Sequence, residues 1–186
     1  VLLVLWERRH PEPLLPLDLL ANRTTVLAVI ASTGLGVMMF GSNVFLGQYF
    51  QYGLGYSPTA AGLLGLPMMV GVLVASTTVG RMTSARGTWK WSVVWGTALM
   101  SVGTIALAFV RQDTPYWVVA VALLAAGVGL GSSMQNLLLA VQNSIGLSQM
   151  GAATSIVTFF RTLAGAAGVQ ILGIVYGHAV NAQIED

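Results

Sequence analysis

The chain has 186 residues, 55% of them hydrophobic and 8% charged, with a formal net charge of +2 and a mean hydropathy of +0.78. This balance excludes an ordinary water-soluble domain, and the absence of cysteine excludes disulfides, thiolate chemistry and cysteine-ligated metal sites. The small positive charge is not a nucleic-acid signal, because no basic face with interleaved aromatics accompanies it.

Taken in chain order, residues 1–6 (VLLVLW) read as the end of a truncated transmembrane helix. No basic region precedes them, and ERRHPEP follows in place of a small-residue cleavage site. The chain therefore reads as a fragment of a longer polypeptide. Residues 7–24 form a polar connection in which Pro11, Pro13 and Pro16 discourage a continuous helix. From Arg23 to Arg81 no acidic or basic side chain intervenes. The apolar runs exceed the roughly 10 residues of a membrane β-strand, so helices are the way to satisfy their backbone groups in lipid.

Helices are expected over about 25–49, 58–80, 91–110, 116–141 and 152–177, each near the roughly 20 residues that cross a hydrocarbon core. They make up one partial bundle over 25–180, followed by a polar tail at 181–186. Ser57 is placed to cap the second helix, with Pro58 in its first turn. Pro67, following Gly62 and Gly65, is placed to kink it. The connection GRMTSARGTWK holds three basic residues and no acid, and Trp89, Trp91 and Trp95 mark the membrane interface beside it. The expected fold class is all-α: a polytopic membrane protein with about five complete transmembrane helices.

Charge placement sets the expected orientation. Loops 7–23, 81–90 and 142–149 share one side and contain six basic residues, whereas loops 50–58 and 111–115 share the other and contain one. The basic side is assigned to the cytoplasm, so the first complete helix runs from inside to outside.

Arg161 is the sharpest single candidate, lying about ten residues into an otherwise apolar helix. Intramembrane cations usually face a bundle interior or an aqueous path, which fits either a structural or gating role or direct contact with substrate. Thr154, Thr158, Arg161, Thr162 and Gly165 recur at three- or four-residue steps and can line one face. Polar helix packing produces the same spacing. Gln135 and Asn136, repeated as Gln142 and Asn143, are candidates for the pathway or for interhelical hydrogen bonds. Asn43 and Gln48 mark the outward half of the first helix, and Gln48 is the better lumen candidate. The pairs Gly127/Gly131 and Gly173/Gly177, together with Gly165 and Gly168, have spacings that permit close helix contact.

No Asp or Glu lies between residues 24 and 112 or between 114 and 184. Coupling through a titrating acid therefore calls on a residue outside these stretches. His10 and His178 fall on opposite expected sides, so no metal, catalytic or hydrolytic site is expected and the chain does not read as an enzyme.

Four segments carry a family resemblance: FLGQYFQYGLGYSPTAAGLLGLP, GRMTSARG, AGVGLG and ATSIVTFFRTLAGAAG, in that order. Together they resemble the C-terminal part of a major facilitator superfamily transporter, especially the fourteen-helix drug:proton antiporter group of multidrug exporters. The resemblance implies that the five helices are the ninth to thirteenth of fourteen. It implies that Gly80, Arg81, Arg86 and Gly87 form a cytoplasmic loop motif that organises contacts during alternating access. The acid often expected in that motif is absent, with Ser84 and Ala85 in its central region, and Ala164 replaces a glycine near Arg161.

The implied activity is export of hydrophobic, amphipathic or cationic small molecules across a bacterial plasma membrane, driven by a proton gradient and requiring no bound cofactor. The implied partners are the lipid bilayer and the missing N-terminal half of the same polypeptide, with no nucleic acid. A membrane-embedded interaction or assembly subunit without transport activity is the alternative.

Overall fold

A computed structural model describes residues 22–87, 89–111, 113–146 and 149–184. The expectations for 1–21, including the helix remnant and most of the first connection, lie outside the described residues, as do residues 185 and 186. Every regular element among the described residues is helical: α1 (Arg23–Gln48), α2 (Pro58–Leu64), α3 (Leu66–Arg86), α4 (Trp89–Ala108), α5 (Tyr116–Gln142) and α6 (Met150–Ile184), with a wide π turn over Tyr49–Gly53. By length and apolar composition they supply five membrane-spanning segments, α2 and α3 together forming the second. The all-α polytopic architecture is as expected.

Helix ends follow from local chemistry. The Asn22 side chain accepts from the Thr24 amide at 2.9 Å and starts α1. Ser57 caps α2 by accepting from the Ala60 amide at 3.3 Å, with Pro58 at the first helical positions. Such caps typically contribute about 1 kcal/mol. The first span continues past Gln48 into the π turn and buries Phe50.

The second span is interrupted at Gly65, two residues before Pro67. The Met68 amide bonds to the Gly65 carbonyl at 3.2 Å and leaves the Leu64 carbonyl available. Tyr116, at the start of α5, donates its hydroxyl to that carbonyl at 3.0 Å. A helix break in lipid requires such a substitute donor.

The expected connection over 81–90 differs from the structure. Helix α3 runs on to Arg86 and stops at Gly87, whose φ of 66° is left-handed and whose amide bonds to the Thr83 carbonyl at 2.8 Å. A polar helix end leaving the bilayer has the same composition as a loop, and only the glycine cap marks the true end.

Helix α5 is the centre of the bundle. Its most apolar stretch is 56% buried, against 17% for the second and third spans. It packs along both α3 and α4, while those two, although consecutive, scarcely meet each other. Helices α1 and α6 form a second close pair, joined to α5 by a core of Val29, Leu35, Leu130, Leu137, Ile156 and Val157.

Candidate functional site

Without water to expel between helices, association in lipid depends on close packing, and small residues permit it. Around α5 the contacts reach the backbones. A methyl group on Gly127 or Gly131 would strike the backbone of Met68 or Val72 in α3. Reciprocally, a Cβ on Gly71 of α3 would lie 2.7 Å from the Leu124 carbonyl oxygen. On the opposite side Gly129 abuts Gly96 and Met100 of α4, and a Cβ on Gly103 would lie 2.6 Å from the Ala126 nitrogen.

The α1–α6 pair is built the same way. A side chain on Gly36 would collide with the Arg161 carbonyl and approach its Cγ to 3.1 Å. Gly165 and Gly168 lie against Phe40 and Val37 of α1. The pair continues toward the end of α1 through Phe45 and Tyr176, with ring centroids 6.1 Å apart. Gly173 and Gly177 have no such contact: no neighbour among the described residues lies where their Cβ atoms would sit.

Arg161 is half-buried at this seam. Four residues from Val157, which is buried, and four from Gly165, also buried, it shares their face. Among the described residues no hydrogen bond or ion pair reaches its guanidinium. The nearby hydroxyls diverge from this face. Thr158 and Thr162 are exposed, with Thr162 Oγ1 donating to the Thr158 carbonyl at 3.0 Å. Thr154 instead accepts from Gln142 Nε2 of α5 at 3.4 Å. The stripe expected from spacing is thus divided: Thr154 meets α5, whereas Arg161 and Gly165 meet α1.

Asn136 is fully buried in α5. Its Nδ2 donates to the Ser132 carbonyl at 2.7 Å, and its Oδ1 has no partner among the described residues. The buried hydroxyls of Thr25 and Ser133 are likewise unpartnered. Gln135 is half-buried and lays its Cγ 3.2 Å from where a Cβ on Gly80 would stand, so it connects α5 to the start of the GRMTSARG motif. Within that motif Arg81 is exposed and Gly87 forms the left-handed cap; Arg86 closes the helix. Asn43 is exposed and donates to its own helix, to the Met39 carbonyl at 2.7 Å. Gln48 is half-buried.

None of the six pathway candidates lines either of two grooves on the bundle. One groove, of about 440 Å3, lies toward the π-turn end of α1, between α1, α4 and α6, lined by Met38, Ser42, Phe45, Tyr49, Thr104 and Leu172 among others. The other, of about 330 Å3, lies between α3 and α4 over α5. Sequence reading missed both, since each is apolar and formed by residues distant in sequence. It also missed Gly36, Gly71, Gly96 and Gly103. Each of these sits opposite a small residue of another helix, and only the pairing reveals it.

Residues 3–169 match the family described as Major Facilitator Superfamily. The chain is 35% identical, over 91% of its length, to an uncharacterized MFS-type transporter of Mycobacterium tuberculosis, covering 25% of that protein. It is 30% identical over 92% of its length to the multidrug transporter protein MdtP of Bacillus subtilis, covering 32%. It is also 30% identical over 89% of its length to a tetracycline resistance determinant of Streptomyces rimosus, covering 48%. The chain thus spans between a quarter and a half of the length of these relatives. Its five spans make it a multi-pass membrane protein, and its bacterial relatives place it in the bacterial plasma membrane. With nearly its whole length matched and its helices packed as a partial transporter bundle, the chain belongs to the Major Facilitator Superfamily.

Proposed function

We propose that the chain is the C-terminal part of a secondary active exporter of amphipathic or drug-like small molecules, of the fourteen-helix drug:proton antiporter group. The missing N-terminal half is the body against which this one rocks, so that a site at the membrane midplane faces each side alternately. Relatives named for multidrug transport and tetracycline resistance support this substrate class. Proton coupling is assigned to a carboxylate outside 24–112 and 114–184, where none occurs. Arginine stays protonated and is a poor proton carrier.

The observation that carries the reading is Arg161: a half-buried cation with no protein partner among the described residues, at the height where α1 and α6 touch backbone to backbone. Such a group attracts an anion, a carboxylate on the opposing half or an aqueous path. In the full-length protein, Arg161→Ala is expected to lower proteoliposome flux, normalised to folded protein, by roughly tenfold or more, while Arg161→Lys retains a substantial fraction. Equal flux from the two variants would remove any special role for the cation.

A further inference from the structure

The second span passes from α2 to α3 at Gly65, and its two sides are held differently. Met68 is fixed against α5: a Cβ on Gly127 would strike its carbonyl and lie 3.0 Å from its Cα. In α2 only Ala61 is buried, and Pro58, Thr59, Gly62 and Leu63 are exposed. The approach to α2 is exposed at Gly55, Tyr56 and Ser57, and Gly55 takes a left-handed φ of 70°. Helix α2 thus holds to the bundle along one face, through Ala61 and Leu64, which join Phe50, Val119 and Leu123.

The hydrogen bonds at the break have a second arrangement within reach. A regular α-helix bonds the Met68 amide to the Leu64 carbonyl, four residues back. Here that amide bonds to the Gly65 carbonyl at 3.2 Å, and the Tyr116 hydroxyl takes its place at Leu64 at 3.0 Å. Pro67 is the cause, since its ring crowds the Leu63 carbonyl and brings no amide hydrogen to it. When the Met68 amide returns to Leu64, the Gly65 carbonyl faces the Met69 amide, its α-helical partner. Tyr116 is the first residue of its span and is 42% exposed, so its released hydroxyl meets water or headgroups. Both arrangements satisfy the same groups and differ by the exchange of one donor. Tyr116 does not follow α2, because the connection before it is tied to α1: the Tyr49 hydroxyl donates to the Arg111 carbonyl at 3.2 Å, and the Arg111 amide donates to Thr114 Oγ1 at 2.9 Å.

We propose that the break at Gly65 is a two-position hinge with Tyr116 as its latch. In the bent position, the one in the structure, Tyr116 holds the Leu64 carbonyl. In the wound position the Met68 amide holds it, and α2 turns about Gly55 and Gly65 relative to α5. The hinge depends on the helix's own hydrogen bonds and is independent of what is transported.

The test uses the full-length protein in nanodiscs, with nitroxide labels at Thr59 of α2 and at Phe109 just after α4, both exposed. Double electron–electron resonance is expected to show two distances. Tyr116→Phe, which removes only the hydroxyl, is expected to shift their population ratio about fivefold toward one of them, the effect of one neutral hydrogen bond. Pro67→Ala restores the amide that the helix lacks and is expected to enrich the same distance. Tyr49→Phe removes a hydroxyl bond at the same end of the bundle but not at the break, and is expected to leave the ratio unchanged. Distances that Tyr116→Phe leaves unmoved would overturn the proposal, as would opposite shifts from Tyr116→Phe and Pro67→Ala or an equal shift from Tyr49→Phe. Tyr116→Phe decides alone should Pro67→Ala fail to fold, because phenylalanine keeps the packing of the ring.

Discussion

Asn136 is sealed within α5 with its amide nitrogen bonded one turn back and its carbonyl oxygen unpartnered among the described residues. Leaving a buried acceptor unmet costs about 1–3 kcal/mol, whereas an apolar group of similar shape avoids that penalty. Asn136→Leu is therefore expected to leave the melting temperature of the purified full-length protein unchanged or raised. A fall of several degrees would mean that a group outside the described residues supplies a donor. Arg161 differs in kind: its stem lies against Gly36, and its charged end lacks a partner among the described residues. Both residues stand out in the sequence as polar groups in apolar runs. Their different burial does not, because it depends on which helix lies opposite.

At the scale of the helix, four-residue glycine spacing has two outcomes in this chain. Gly127 and Gly131 meet the backbone of α3, whereas Gly173 and Gly177 meet no described neighbour. Adding a side chain at a closed contact forces backbone shifts that typically cost about 1–3 kcal/mol or more. Replacing a helical glycine in open space with alanine typically gains up to about 1 kcal/mol. Gly131→Val should therefore sharply reduce the folded fraction recovered after detergent extraction, measured by size-exclusion chromatography, and Gly173→Ala should not. Equal yields from the two variants would contradict the contacts described. The spacing of Gly127 and Gly131 was legible in the sequence because both fall within one helix. Gly71 and Gly96 carry no local signal, since what makes each necessary is a residue on α5. The end of α3 was misread for a related reason: Arg81 and Lys90 look like loop residues whether or not the backbone between them is helical.

For the molecule as a whole, hydropathy and charge made the five spans legible before any packing could be known. The orientation is directly testable. In a cysteine-free background, a membrane-impermeant maleimide is expected to label Tyr56→Cys on intact cells and Ala85→Cys only after permeabilisation; both positions are exposed. The reverse pattern would invert the topology. The arrangement around α5 also bears on how the protein is made. As α3 and α4 emerge from the ribosome they have little to hold each other by, and their glycine faces stay unmatched until α5 follows. Helix α1 waits longer still, because the surface that fits Gly36 lies on α6, the last helix described. Membrane insertion must therefore run ahead of assembly, with several separately inserted helices held in lipid before the bundle can close.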